Sequence, residues 1–210
     1  MLEYKNLMSL KSWIVKPVSR KFLTKFIEEN HYSGSINGCK SSYHYALFNE
    51  KHELKGAMFF GGLAMANQYK RFSDKENEVI ELRRLCCVDD TPKNTESFFI
   101  GKALKMLNRE WGGKIVVSYA DKEYGHVGTI YQASNFKMVG EVAGAKVIVY
   151  GDKLYHDKTI RTKYKDKLKP FAIKLKKALD CGDAYYKTTA GKYTYVYNLK
   201  PITIQHPLVE

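Results

Sequence analysis

A chain of 210 residues with 44% apolar residues, 16 tyrosines and a formal net charge of +13 is long enough to bury one sizeable core and too apolar to be a disordered polyelectrolyte. Two unrelated domains would be cramped in that length. The charge favours an anionic partner, nucleic acid or an anionic membrane surface, unless the protein is simply a soluble basic one.

In chain order, Pro17 and Ser19 read as a helix start, and Phe22, Leu23, Phe26 and Ile27 place apolar residues on one helical face that ends near Asn30. "HYSG", His31 to Gly34, follows as a polar and aromatic loop, either a turn or the lip of an active site. Tyr43–Phe48 and Gly56–Phe60 flank a polar connection and predict two antiparallel strands of a hairpin. "VIELRRLCCV", Val79 to Val88, is a further strand with a charged centre. Pro92, Asn94 and Thr95 begin a helix whose Phe99, Ala103 and Leu107 share a side, and Gly112 and Gly113 stop it. Ile115 to Asp121 is an apolar strand that ends on hydroxyls and a carboxylate, followed by a Gly-rich loop and a short helix from about Thr129. "KVIVY" is another strand. Pro170 opens a basic amphipathic helix carrying Phe171, Leu175 and Ala178, and Gly182 follows its end. A final hairpin is expected to turn at Ala190-Gly191, with Tyr193, Tyr195, Tyr197 and Leu199 alternating along its second strand.

This order predicts an α/β fold, a mixed central sheet flanked by helices, with a core over residues 1–150 and a basic extension over 151–210 packed on the same domain. The charge is concentrated. Lys153 to Ala178 holds ten Lys or Arg and two Asp, a net of +8, which reads as a solvated face or as a phosphate-binding surface. The apolar stretch around Gly56 to Ala66 is too short to span a bilayer, and the first residues lack the continuous apolar block of a signal peptide, so a cytoplasmic protein without a membrane partner is expected. Cys39, Cys86, Cys87 and Cys181 show no C-x-x-C spacing, as fits reduced thiols and no structural zinc.

Val79–Leu107 followed by Ile115–Gly140 is similar to the core of the GNAT-type acyltransferases, in which a Gly, an apolar Tyr, a small residue and an aromatic residue before a Gly recur at such spacing. More narrowly, "HYSG", "ELRRLCCVDDTPKNTESFFIGKAL", "VVSYAD", "GHVGTIYQASNF" and "GKYTYVY", in that order, resemble the Mom family of phage DNA modification proteins. The resemblance implies a GNAT-like fold and conversion of the exocyclic amine of DNA adenine to a carbamoylmethylamine, which protects phage DNA from host restriction. Within such a fold the donor is expected in the opening between the two central strands, facing the end of Ile115–Asp121. One departure stands out. GNAT enzymes cradle the pyrophosphate of acetyl-CoA on a Gly-rich loop at the start of the central helix, where this chain has "DDTPKNTES", with no Gly before Gly101 and with Asp89 and Asp90 to repel phosphate.

The catalytic candidates are Ser118, Asp121, Tyr32, Tyr131 and His31. Asp121 could take a proton, or else cap the helix near Thr129 or pair with an Arg; Ser118, Tyr32 or Tyr131 could hydrogen-bond an oxyanion, or else tighten a turn or pack. His31 is a second candidate base or an exposed loop histidine. Arg83 and Arg84, on opposite faces of a strand, allow one to grip a phosphate while the other finds a carboxylate such as Glu81, and Asn94 and Thr95 stand at the helix start where a donor phosphate would sit. Arg161, Lys163, Lys165, Lys167, Lys192 and Tyr193 are the nucleic-acid candidates, with packing as the alternative for the tyrosine. His31, His126 and Asp121 are ligand types for a metal whose participation stays open. Because a glycyl group on the adenine amine and a carbamoylmethyl group are isomers, glycyl-tRNA is the donor favoured over acetyl-CoA. DNA is then the expected partner, with tRNA and a second copy in a homodimer as further partners. The competing readings are an acetyl-CoA-dependent transferase acting on a protein or small amine, and a non-catalytic nucleic-acid-binding protein.

Overall fold

The computed structural model describes residues 10–201. Its strands and helices run β1 Ile14–Pro17, α1 Arg20–Asn30, β2 Tyr43–Phe48, β3 Leu54–Gly61, β4 Val79–Cys87, α2 Thr95–Trp111, β5 Ile115–Asp121, α3 Thr129–Ala133, β6 Lys137–Val142, β7 Lys146–Tyr150, β8 Lys153–His156, β9 Lys163–Tyr164, β10 Lys167–Leu168, α4 Pro170–Cys181, β11 Ala184–Thr188 and β12 Lys192–Asn198. A seven-stranded mixed sheet has the order β1-β2-β3-β4-β5-β12-β6; β11-β7-β8 form a second sheet, and β10-β9 a small hairpin. The chain divides into two compact units, one of residues 10–119, 128–139 and 194–201 within the described range, the other of residues 120–127 and 140–193. The extension expected over 151–210 is thus shared: residues 151–193 lie in the second unit and residues 194–201 in the first.

In the first unit the pleat of β2, β3 and β4 decides which helix covers which face. Ala46, Ala57, Phe59 and Cys86 turn to one side and form a buried cluster with Leu23 and Ile27 of α1. Leu23 and Ile27 are fully buried, each contributing about 1.5–3 kcal/mol of apolar burial. Ser19 caps α1 by accepting from the Phe22 amide at 3.3 Å. Tyr45 turns to the other side, where its hydroxyl donates to Glu110 of α2 at 3.0 Å. Phe99, Ile100, Ala103 and Leu107 bury the inner face of α2, and Gly112, in the left-handed conformation, ends it.

The second unit is organised around Ile148, Leu175, Ala178 and Ala184, which pack α4 on the β11-β7-β8 sheet. Phe171, expected with Leu175 and Ala178 on the buried face, is 38% exposed; Ala172 takes the buried place instead. The final hairpin expected at Ala190-Gly191 does not form. β11 pairs with β7, whereas β12 lies between β5 and β6 in the large sheet. Gly191 serves close approach rather than a hairpin turn, since a Cβ there would meet the Val142 carbonyl oxygen at 2.4 Å.

Candidate active site and basic surface

The first unit places its polar interior where β4 and β5 part. Their parallel ladder pairs Val79 with Ile115, Ile80 with Val116 and Glu81 with Val117, and stops there although both strands continue. Beyond that point the Leu82 carbonyl accepts a hydrogen bond from the Ser118 hydroxyl at 3.3 Å. Ser118 is fully buried, so this bond satisfies a carbonyl that solvent cannot reach. Tyr131 of α3 hydrogen-bonds Ser118, and burial, with the charge of Glu81 and the nearby Tyr195 adding to it, raises the Tyr131 phenol above its ordinary pKa despite the Ser118 bond. Tyr131 therefore stays protonated and acts as a donor.

Packing holds that tyrosine in place. Its ring lies 5.4 Å from that of Tyr195 and 5.7 Å from Phe136. Tyr195 is itself buried and its hydroxyl accepts from the Gln132 amide at 3.0 Å. Gly128 opens α3 at φ +78°, and a Cβ there would stand 2.3 Å from the Tyr195 ring. A glycine at this point lets the tyrosine pass beneath the start of the helix.

Further along β4, the register against β3 shifts between Phe59 and Phe60, leaving Arg83 without a partner residue on that strand. Arg83 donates to the Gly62 carbonyl at 2.6 Å and lies 3.5 Å from Glu81, both side chains being mostly buried. Arg84 donates to the Arg83 carbonyl at 2.7 Å and reaches the carbonyl of Ser35, the residue after "HYSG", at 3.4 Å, which ties the chain there to the strand. The Nε atoms of both arginines are buried without a hydrogen-bond partner among the described residues. His31, expected as an exposed alternative, is buried; its Nδ1 lies 2.8 Å from Ser33 Oγ and its ring stacks beside Tyr32, which is exposed. Tyr119, one of the hydroxyls on which β5 ends, was not among the catalytic candidates. Its hydroxyl accepts from Gln68 at 2.7 Å and thereby holds the loop after β3, and burial followed by the charge of Glu81 raises its pKa.

The start of α2 does not fit a pyrophosphate. The Thr95 side chain is fully buried and its hydroxyl donates to the Pro92 carbonyl at 2.7 Å. Asn94 stands in the left-handed conformation, its carbonyl accepting from Phe98 N and Ser97 Oγ, and Asp90 pairs with Lys55 at 2.8 Å. These groups are already engaged, and no glycine lets a backbone wrap an anion here.

Asp121 belongs to the second unit. Its carboxylate accepts from the Glu123 amide at 3.1 Å, capping the turn at residues 122–124 rather than the helix at Thr129, and pairs with Lys192 at 2.8 Å rather than with an Arg. Lys192, a nucleic-acid candidate, thus has part of its charge committed, and Tyr193 lies under Lys122 at 4.3 Å. Arg161 is paired with Asp157 at 2.7 Å. Lys163, Lys165 and Lys167 are exposed on the β9–β10 hairpin. A depression of about 720 Å³ in this unit is lined by Ile160, Lys176, Leu179, Ala184, Tyr185 and Tyr186. Among the described residues no group of three or more His, Cys, Asp or Glu is placed to hold a metal ion, and no helix is long and apolar enough to cross a membrane.

Comparison with known proteins agrees with this geometry. The fold matches spermidine N-acetyltransferase from Vibrio cholerae with a TM-score of 0.50 at 7% identity, over 90% of this chain and 94% of that one. It matches ribosomal-protein-S5-alanine acetyltransferase from Vibrio fischeri with a TM-score of 0.50 at 6% identity, over 92% and 98%. At such identities these likenesses establish a GNAT acetyltransferase fold and nothing finer. The methylcarbamoylase Mom of Escherichia phage Mu is 32% identical over 134 residues, 60% of this chain and 53% of that protein, so the aligned part spans about half of the relative's length. A family model described as the Mom protein family matches residues 12–208. The chain belongs to the Mom protein family.

Proposed function

We propose that this protein is a DNA-modifying transferase that converts the exocyclic amine of adenine to a carbamoylmethylamine and so shields phage DNA from restriction. The observation that carries this reading is the Leu82–Ser118–Tyr131 chain of hydrogen bonds at the parting of the two central strands, in a chain of the Mom family. The relative from phage Mu is named a methylcarbamoylase, in keeping with the same product.

The chemistry follows from the acceptor. The adenine amine is a weak nucleophile because its lone pair is delocalised into the ring, so acylation needs a placed ester, a donor for the oxyanion and a base. Tyr131, held protonated, reaches the oxyanion when its hydroxyl turns from Ser118, with Tyr32 as an exposed second donor, while His31 takes the proton. One of Arg83 and Arg84 is the candidate to grip an anionic substrate group through its forked guanidinium.

The donor in this reading is a glycyl ester of tRNA. The adenine nitrogen attacks the ester carbonyl, the ester C–O bond breaks, the tRNA hydroxyl leaves with a proton, and a glycyl amide forms. The free glycyl amine then attacks the ring carbon through a five-membered spiro intermediate. Breaking the original ring carbon–nitrogen bond leaves carbamoylmethylamine with the same atoms. The engaged start of α2 supports this donor over acetyl-CoA. Nucleoside mass spectrometry on DNA from cells expressing the protein tests the reading. A heavier deoxyadenosine is expected with the native chain, falling at least about a hundredfold with Tyr131→Phe at unchanged protein level. DNA without modified adenine from cells making folded native protein overturns it.

A further inference from the structure

We propose that the β9–β10 hairpin is a duplex-DNA wedge, with Tyr164 inserted between base pairs and Lys163, Lys165 and Lys167 held along the flanking phosphates. This inference rests on the reading of the protein as an adenine-modifying enzyme and adds how the duplex is opened. The hairpin is short and firmly based. Tyr164 pairs with Lys167 and Lys163 with Leu168, and the Lys169 amide closes the base on the Thr162 carbonyl at 2.9 Å. Just beyond Lys169 comes α4, whose Ala172, Leu175 and Ala178 are buried. The turn is made by Lys165 and Asp166, both in the left-handed conformation at φ +48° and +60°. Two-residue hairpin turns take this conformation most readily with Asn or Gly, so a lysine here spends turn stability on a charge at the tip.

The surface chemistry fits a groove. Tyr164 is 67% exposed at the end of a two-stranded ribbon, and the Lys165 ammonium lies 5.6 Å from its ring. Lys167 shares its face, whereas Lys163 and Leu168 share the other. Among the described residues Lys163, Lys165 and Lys167 form no ion pair, in contrast to Arg161 and Lys192, which do. A ribbon of this width enters a groove of duplex DNA, its lysines displace counterions, and an exposed ring among them can part a base step. An adenine amine paired in a duplex is reached only when its base leaves the stack, so a chain that modifies it needs an element that unstacks DNA.

Duplexes carrying 2-aminopurine, which brightens when unstacked, test this with the full chain. The native protein is expected to raise the fluorescence at saturation. Tyr164→Ala should still bind duplex, with affinity lowered by less than about tenfold, but lose most of that rise, whereas Tyr164→Phe should keep it. Lys163→Ala with Lys167→Ala should lower the salt slope of binding by about two while leaving the rise per bound complex unchanged. An equal rise with Tyr164→Ala at saturation, no rise with native protein that binds duplex, or binding to tRNA without binding to duplex would each overturn the wedge. Modified adenine recovered from cells alongside any of these outcomes would leave the enzymatic reading standing, and its absence would remove that reading separately.

Discussion

Ser118 and Tyr131 separate a structural role from a chemical one. Ser118 satisfies the Leu82 carbonyl in an interior without solvent, so Ser118→Ala should cost about 1–3 kcal/mol of stability, read as a lower denaturation midpoint. Tyr131→Phe keeps the ring contacts to Tyr195 and Phe136 and removes only the hydroxyl. It should leave stability within about 1 kcal/mol while lowering modification by about a hundredfold or more, the scale of one lost oxyanion donor. Full activity in Tyr131→Phe would reduce the tyrosine to packing. Ser118 was legible in the sequence because a buried strand that ends in hydroxyls needs a reason, and Tyr131 because it lies in the "GHVGTIYQASNF" segment. Their bond to each other was not, since no local pattern shows that α3 brings Tyr131 to β5.

Elements were legible where periodicity and punctuation agreed. Strands β2, β3, β4 and β5 and helices α1, α2 and α4 lie close to where alternation, caps and glycines put them. The short strand β1, ending on Pro17, and the Lys-rich strands β8, β9 and β10 were hidden, because proline and charge runs read as loop or solvated surface. The misread turn at Gly191 has the same root: a glycine needed for close approach and one needed for a hairpin look alike in sequence. Gly128→Ala tests a glycine of the first kind. Its Cβ would collide with Tyr195 and its φ is left-handed, so the variant should lose several degrees of melting temperature and most activity together. At the β9–β10 hairpin, changing Lys163, Lys165 and Lys167 to Glu should weaken nucleic-acid binding and flatten its salt dependence. An unchanged slope would return this segment to a solvated face.

For the whole molecule, buried acids make alkaline pH the weak side. Burial raises the thiol of Cys86 to about 12 and that of Cys87 further, and it raises Tyr45, Tyr119 and Tyr131 above their ordinary value. Groups raised in the folded state keep protons that the unfolded chain has released, so stability is full below the unfolded pKa values and falls as pH rises past them. The decline should begin near pH ~8.5, where free thiols ionise, and steepen above ~10, where tyrosines do. Melting temperatures measured between those values check it, and a melting temperature that rises over this interval would contradict it. A net charge of +13 favours an anionic partner.

The transfer itself gives the most direct test. Purified protein is incubated with duplex DNA and tRNA charged with nitrogen-labelled glycine, and in parallel with acetyl-CoA, and the nucleosides are analysed by mass spectrometry. The account predicts deoxyadenosine heavier by one glycine residue in the first reaction only. The label should sit on the nitrogen bound to the ring, with the original adenine nitrogen in the terminal amide. Acetylated adenine from acetyl-CoA, with none formed from glycyl-tRNA, would contradict it.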